Sequence, residues 1–96
     1  MAYDGTDEGA LDRRLAARSA HLEMGDQLKA DGRLLYAAAL LDDDGRMTGS
    51  MEVVDFATPE DLDAYLEVEP YVTGDVWQRI DITPCRPGPS FVPATT

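Results

Sequence analysis

The chain carries one cysteine, one histidine and eight basic residues among 96, and each scarcity closes off a class of function. Cys85 has no partner for an internal disulfide, which fits a reducing compartment. A single cysteine with a single histidine falls short of a zinc ligand set, so no metal is expected. Eight bases against 19 acids leave a net charge of −11. A surface of that sign repels phosphate backbones and anionic headgroups, so neither nucleic acid nor a membrane surface is an expected partner. No apolar run approaches the roughly 20 residues that cross a bilayer. Met1 to Thr6 is polar and acidic, unlike a secretion signal, which makes the cytoplasm the expected location. Neither a phosphate loop, a dinucleotide glycine fingerprint nor a Ser/His/Asp triad spacing occurs, and no cofactor is expected.

What is present reads as one small domain with a single modest core. Asp4 to Gly9 is a loop leading into a helix from Ala10 to Asp31, stopped by Gly32. Leu34 to Leu41 is apolar at odd and even positions alike and ends in Asp42-Asp43-Asp44-Gly45, so it reads as a strand buried on both faces and followed by a turn. Met51 to Phe56 is its hairpin partner. Thr58-Pro59-Glu60-Asp61 opens a short helix with Leu62, Tyr65 and Leu66, which stops before Pro70. Val76 to Ile82 alternates as a last strand, and prolines 87, 89 and 93 make 87–96 an extended tail behind a domain of residues 1–86. The order is that of a βαββαβ unit, an α+β fold, with its first strand nearly missing. Two helices cover one face of such an antiparallel sheet. Because Leu34 to Leu41, taken as the central strand, is apolar on both faces, a second copy of the chain is expected to cover the other, giving a homodimer.

The candidate chemistry centres on His21. At 100° per residue, Arg14, Arg18 and His21 fall in an arc of roughly 60°, bordered by Leu11, Leu15 and Leu22 on one side and Ala17, Met24 and Leu28 on the other. Nitrogen-rich side chains along the middle of an apolar stripe point to a pocket. An imidazole exchanges protons near neutral pH but needs a partner to orient it. Glu69, held by Pro70 directly after a helix end, is the best carboxylate by type, although spacing does not show that the two meet, and a structural histidine bonded to backbone is the alternative. Arg14 and Arg18, one turn apart, suit a carboxylate on the ligand, unless their stems lie over the leucines and their heads reach water; Arg18 reads as the nearer to the buried centre. Gly49-Ser50 suits either a hydroxyl approaching a ligand or a β-bulge. The acidic turn fails as a calcium loop, because Leu40 and Met51 fall where oxygens are required.

Arg14-x-x-x-Arg18-x-x-His21-Leu22, Gly32-Arg33-Leu34-Leu35-Tyr36-Ala37-Ala38-Ala39-Leu40-Leu41-Asp42-x-x-Gly45-x-x-x-Gly49-Ser50 and Glu69-Pro70-Tyr71 together resemble the YCII-related (YciI-like) family, from about Tyr3 to Arg86. The resemblance implies a ferredoxin-like fold assembled as a dimeric α/β barrel. It also implies a pocket histidine matched by His21 and an acid before Pro-Tyr matched by Glu69, with Tyr71 joining Arg14, Arg18 and Ser50 as ligand-contacting residues. Relatives remove hydrogen halide from chlorinated lactones. Two departures stand out. The usual aspartate is Glu69, whose extra methylene either misses the histidine or reaches it by another geometry. The first strand is cut to its last residues, so either the natural start lies upstream or another segment, such as Ser90 to Pro93, fills the gap.

Two functions compete. One is a lyase or isomerase using His21 and Glu69 as acid and base on a carboxylated, anionic small molecule. The other is a non-catalytic binding or accessory module in which the same cationic pocket holds an acidic metabolite.

Overall fold

The change of sequence period at Gly32 marks a boundary that the backbone makes visible. In the computed structural model, which describes residues 1–91, helix α1 spans Ala10–Ala30. It closes through paired bonds, Arg33 N–H to Leu28 C=O at 2.8 Å and Gly32 N–H to Lys29 C=O at 3.1 Å. That closure puts Gly32 at φ 75°, a conformation glycine adopts without a side-chain penalty. The chain then forms strand β2 (Leu34–Leu41), strand β3 (Met47–Val54), helix α2 (Pro59–Val68), the one-turn helix α3 (Pro70–Thr73) and strand β4 (Trp77–Ile80). Thr58 caps α2 by accepting the Asp61 N–H at 3.1 Å, with Pro59 as the first helical residue. The β2–β3 turn is closed by Asp42, whose Oδ1 accepts the N–H groups of Asp44 and Arg46.

The first strand exists, though it is short. β1 (Ala2–Asp4) lies between β3 and β4 in an antiparallel sheet of order β2-β3-β1-β4, the ferredoxin-like arrangement. Ala2 stands opposite Ser50 on one side and Ile80 on the other, and Tyr3 opposite Gly49 and Arg79. Gly49 is required by this close approach, since a Cβ there would fall 2.4 Å from the Ala2 carbonyl oxygen. Ser90 takes no part in the sheet and sits in a 3-10 turn, Pro89–Phe91; Val92 and Pro93 lie outside the described residues. Upstream of Ala2, β3 runs on through Met51–Val54 with no ladder partner on that side among the described residues, although the Asp81 N–H still reaches the Met1 carbonyl. A cavity of about 610 Å³ opens there, lined by Val53, Val54, Leu62, Leu66, Ile80 and Ile82.

Two expectations from the sequence are corrected. β2 is an edge strand and not a central one, and it is buried on neither face throughout: Tyr36 is 62% and Leu41 61% exposed. Its apolar run therefore leaves an open sheet face in the single chain. The inward direction of α1 also differs from the middle of the nitrogen-rich arc. Ala17, Met24 and Leu28 turn inward, whereas Leu15 is 51% exposed and Leu11 and Leu22 are exposed with it. This rotation carries Arg14 and His21 under the helix and leaves Arg18 on its rim. Both helices lie on the same sheet face, because Arg14 of α1 and Tyr65 of α2 reach Ser50 and Glu52, which share one side of β3. The main core on that face is Ala2, Tyr71, Val76 and Trp77.

Candidate active site

Glu69 occupies the joint between two helices. It caps α2 at its C-terminal end and α3 at its N-terminal end, with extended backbone at φ −63° and ψ 126°. Pro70 forces this break, since the residue before a proline is driven out of the helical region. Oε2 accepts the Tyr71 N–H at 2.6 Å, and Oε1 contacts His21 Nδ1. The longer acid thus caps a helix with one oxygen and holds the imidazole with the other. Glu69 is 1% exposed, so neither oxygen has water as an alternative partner. The imidazole is fixed on its faces as well: it stacks on Tyr71 at 3.7 Å between centroids, 6° from parallel, and meets Trp77 edge-on at 5.6 Å. With Nδ1 engaged by the carboxylate, Nε2 is the ring nitrogen left to meet a ligand.

A second web lies one turn earlier on α1. Arg14 Nη1 donates to both carboxylate oxygens of Asp4, at 3.0 and 2.9 Å, in an ion pair whose two side chains are each 4% exposed. Nη2 donates to Ser50 Oγ at 3.2 Å, and Trp77 Nε1 donates to the same oxygen at 3.1 Å. Neither donor can act as acceptor, so Ser50 spends both lone pairs on them. Its own hydrogen has no acceptor among the described residues and remains for a ligand. Arg14 Nε is buried without a partner among these residues, and the guanidinium lies 4.9 Å from the Tyr71 ring centroid.

These groups border a cavity of about 190 Å³ between α1 and the β2–β3 hairpin, with Arg18, His21, Ser50, Glu52 and Tyr71 in its walls and Ala37 to Ala39 as a floor without bulk. The sequence order of the arginines is reversed: Arg14 is buried, at 3% exposure, and committed to Asp4, while Arg18 is exposed at the rim and pairs with no acid among the described residues. Tyr71 is almost wholly buried; its ring supports His21, and burial pushes its phenol above the ordinary value. Sequence reasoning missed Asp4, read as a loop residue, and Trp77, placed by a strand alone. It also missed Glu52, for which a signal existed: two residues from Ser50 on one strand means the same face. Among the described residues no three His, Cys, Asp or Glu side chains gather as a metal site. None of their helices is long and apolar enough to cross a membrane.

Fold and site together define a ferredoxin-like α+β domain in which a buried carboxylate holds a half-buried histidine beside a small polar cavity. Residues 1–86 match the model of the YCII-related domain, and the chain belongs to that family. Protein YciI of Escherichia coli O6:H1 and protein YciI of Shigella flexneri are each 32% identical to it over 83 residues, covering 80% of this chain and 85% of theirs. Among solved structures it is similar to 5-chloro-2-hydroxyhydroquinone dehydrochlorinase from Burkholderia phenoliruptrix AC1100, in complex with 2,5-dihydroxybenzoquinone. The TM-score is 0.76 at 22% identity, over 91% of this chain and 90% of that one, a likeness of fold.

Proposed function

We propose that this protein is a small-molecule enzyme that performs acid–base elimination or isomerisation on an anionic, ring-shaped metabolite, with His21 as the proton-transferring group. The observation that carries this reading is the His21–Glu69 contact beside a cavity. Glu69 orients the imidazole with Nδ1 as donor, and Nε2 takes the proton from a substrate carbon. In an elimination the C–H electron pair becomes the new double bond, the leaving group departs with its own pair, and His21 returns the proton to solvent. Ser50, bound to donate, and Arg18 at the rim supply the attraction for the anionic group. That the similar fold from Burkholderia is a dehydrochlorinase supports the reaction class. Pairing of two chains through the open sheet face belongs to the same reading, supported by exposed Tyr36 on edge strand β2, whose partner Val53 lies on the face opposite Ser50 and Glu52.

The test is chloride release from 5-chloro-2-hydroxyhydroquinone and from a chlorinated lactone. His21→Gln is expected to lower the rate by about 10²–10⁴-fold, and Glu69→Gln to lower it less. Full turnover in His21→Gln overturns the assignment. No turnover of either compound, combined with tight binding of 2,5-dihydroxybenzoquinone that depends on Arg18 and not on His21, establishes the binding-module reading instead.

A further inference from the structure

Among the described residues Glu52 is the one acid in the wall of the small cavity. β3 places it two residues beyond Ser50 on the helix-covered face, opposite Ala37 of β2. Tyr65 of α2 donates its hydroxyl to Glu52 Oε1 at 2.7 Å. Burial and the adjoining carboxylate push the Tyr65 phenol far upward, so the hydroxyl stays protonated and always donates. Oε2 has no partner among the described residues. Phe56 stacks on the Tyr65 ring at 5.3 Å between centroids, and Tyr65 is itself buried, so the carboxyl group is held from behind by a fixed donor. Glu52 also lines the larger cavity, and with Ser50 it stands on the partition between the two spaces.

An acceptor fixed in the wall of a pocket otherwise furnished for anions discriminates strongly. A ligand that presents bare carbon to it strips water from an oxygen and gives no hydrogen bond in return, and a second anionic group meets repulsion. Resting on the reading of this cavity as a site for an anionic ring, we propose that Glu52 is its specificity-determining residue: Oε2 accepts a hydrogen bond from a ligand hydroxyl, so the site selects hydroxylated cyclic acids over their deoxy analogues. Tyr65 is the positioning residue, acting through Oε1. The groups facing Glu52 are Tyr65 from α2, His21 from α1, Glu69 from the helix joint and the Met1 amino group ahead of β1. Burial, the largest influence, and the Glu69 charge disfavour its charged form, while Tyr65, His21 and the Met1 amino group favour it.

The experiment uses benzoate, 3-hydroxybenzoate and 4-hydroxybenzoate as probes and the fluorescence of Trp77, the chain's one tryptophan, as the reporter beside His21. In the wild-type protein the better hydroxylated probe is expected to bind about tenfold tighter than benzoate. Glu52→Leu removes that preference by tightening benzoate, which then no longer strips water from a carboxylate, and Tyr65→Phe reduces the preference by about threefold. Glu52→Gln, which keeps the volume and the Tyr65 contact, abolishes the pH dependence of the preference and so tests the assignment even where the leucine variant does not fold. A preference that survives Glu52→Leu, or keeps its pH profile in Glu52→Gln, overturns the proposal. Benzoate binding that needs Arg18 but shows no hydroxyl preference overturns it alone. Failure of all three probes to perturb Trp77 at millimolar concentration overturns the anionic-ring reading with it.

Discussion

The two cavities under the helices share Ser50 and Glu52 in their walls and are otherwise built on opposite terms. In the smaller one, side chains satisfy one another: Asp4 with Arg14, Arg14 and Trp77 with Ser50, Glu69 with His21 and with the Tyr71 amide. The larger one is mostly apolar, and on the side facing it the backbone of β3 past Ser50 has no ladder partner among the described residues. One space is held by a few directional bonds whose partners come from five elements. The other is defined by surface that nothing in the described chain covers. Orientation of His21 therefore depends on the first, and much of the unrealised stability of the fold lies in the second.

Breaking the polar web is expected to have the largest effect. Asp4→Ala leaves the Arg14 charge buried and uncompensated, at a cost of about 3–5 kcal/mol; urea unfolding that shows a loss below about 1 kcal/mol would remove the pair from the framework of the site. Filling the other cavity works in the opposite direction. An apolar extension of about five to seven residues ahead of Met1 continues β1 along Met51–Val54, and the burial of even one large aliphatic side chain is worth about 1.5–3 kcal/mol. The melting temperature is expected to rise, and an unchanged value counts against the unpaired edge. Thr58→Ala removes the cap of the helix that roofs the larger cavity and costs about 1 kcal/mol, with no change in the response of Trp77 to ligand.

The smallest effect sharpens the comparison at the shared wall. Burial raises the pKa of Glu52 above its ordinary value of 4.5. A carboxyl whose folded value is raised contributes stability that is fully present below the unfolded value and is lost as pH rises through the folded one. Melting curves of the wild type and Glu52→Gln from about pH 4 to 8 should therefore show the wild type losing ground as pH rises; a parallel pair of curves would place Glu52 in water.

The sequence by itself settled whatever is decided within a few neighbouring residues. The stop at Gly32, the Thr58-Pro59 helix start, the acidic turn and the break before Pro70 all depend on local backbone geometry, and each reads directly. The order of elements followed from them, as did the choice of His21 and Glu69 as the polar residues in need of an explanation. α3 escaped because a single turn has no periodicity to detect. Tertiary structure alone decided the rotation of α1, since the wheel gives an arc and not the direction of its neighbours; that rotation buried Arg14 and exposed Arg18 against expectation. It also decided that β2 lies at an edge, because the sheet's order depends on where three residues of β1 insert. The partnership of His21 with Glu69, 48 positions apart, required the helix joint to meet α1, a matter of packing across the chain that no local pattern encodes.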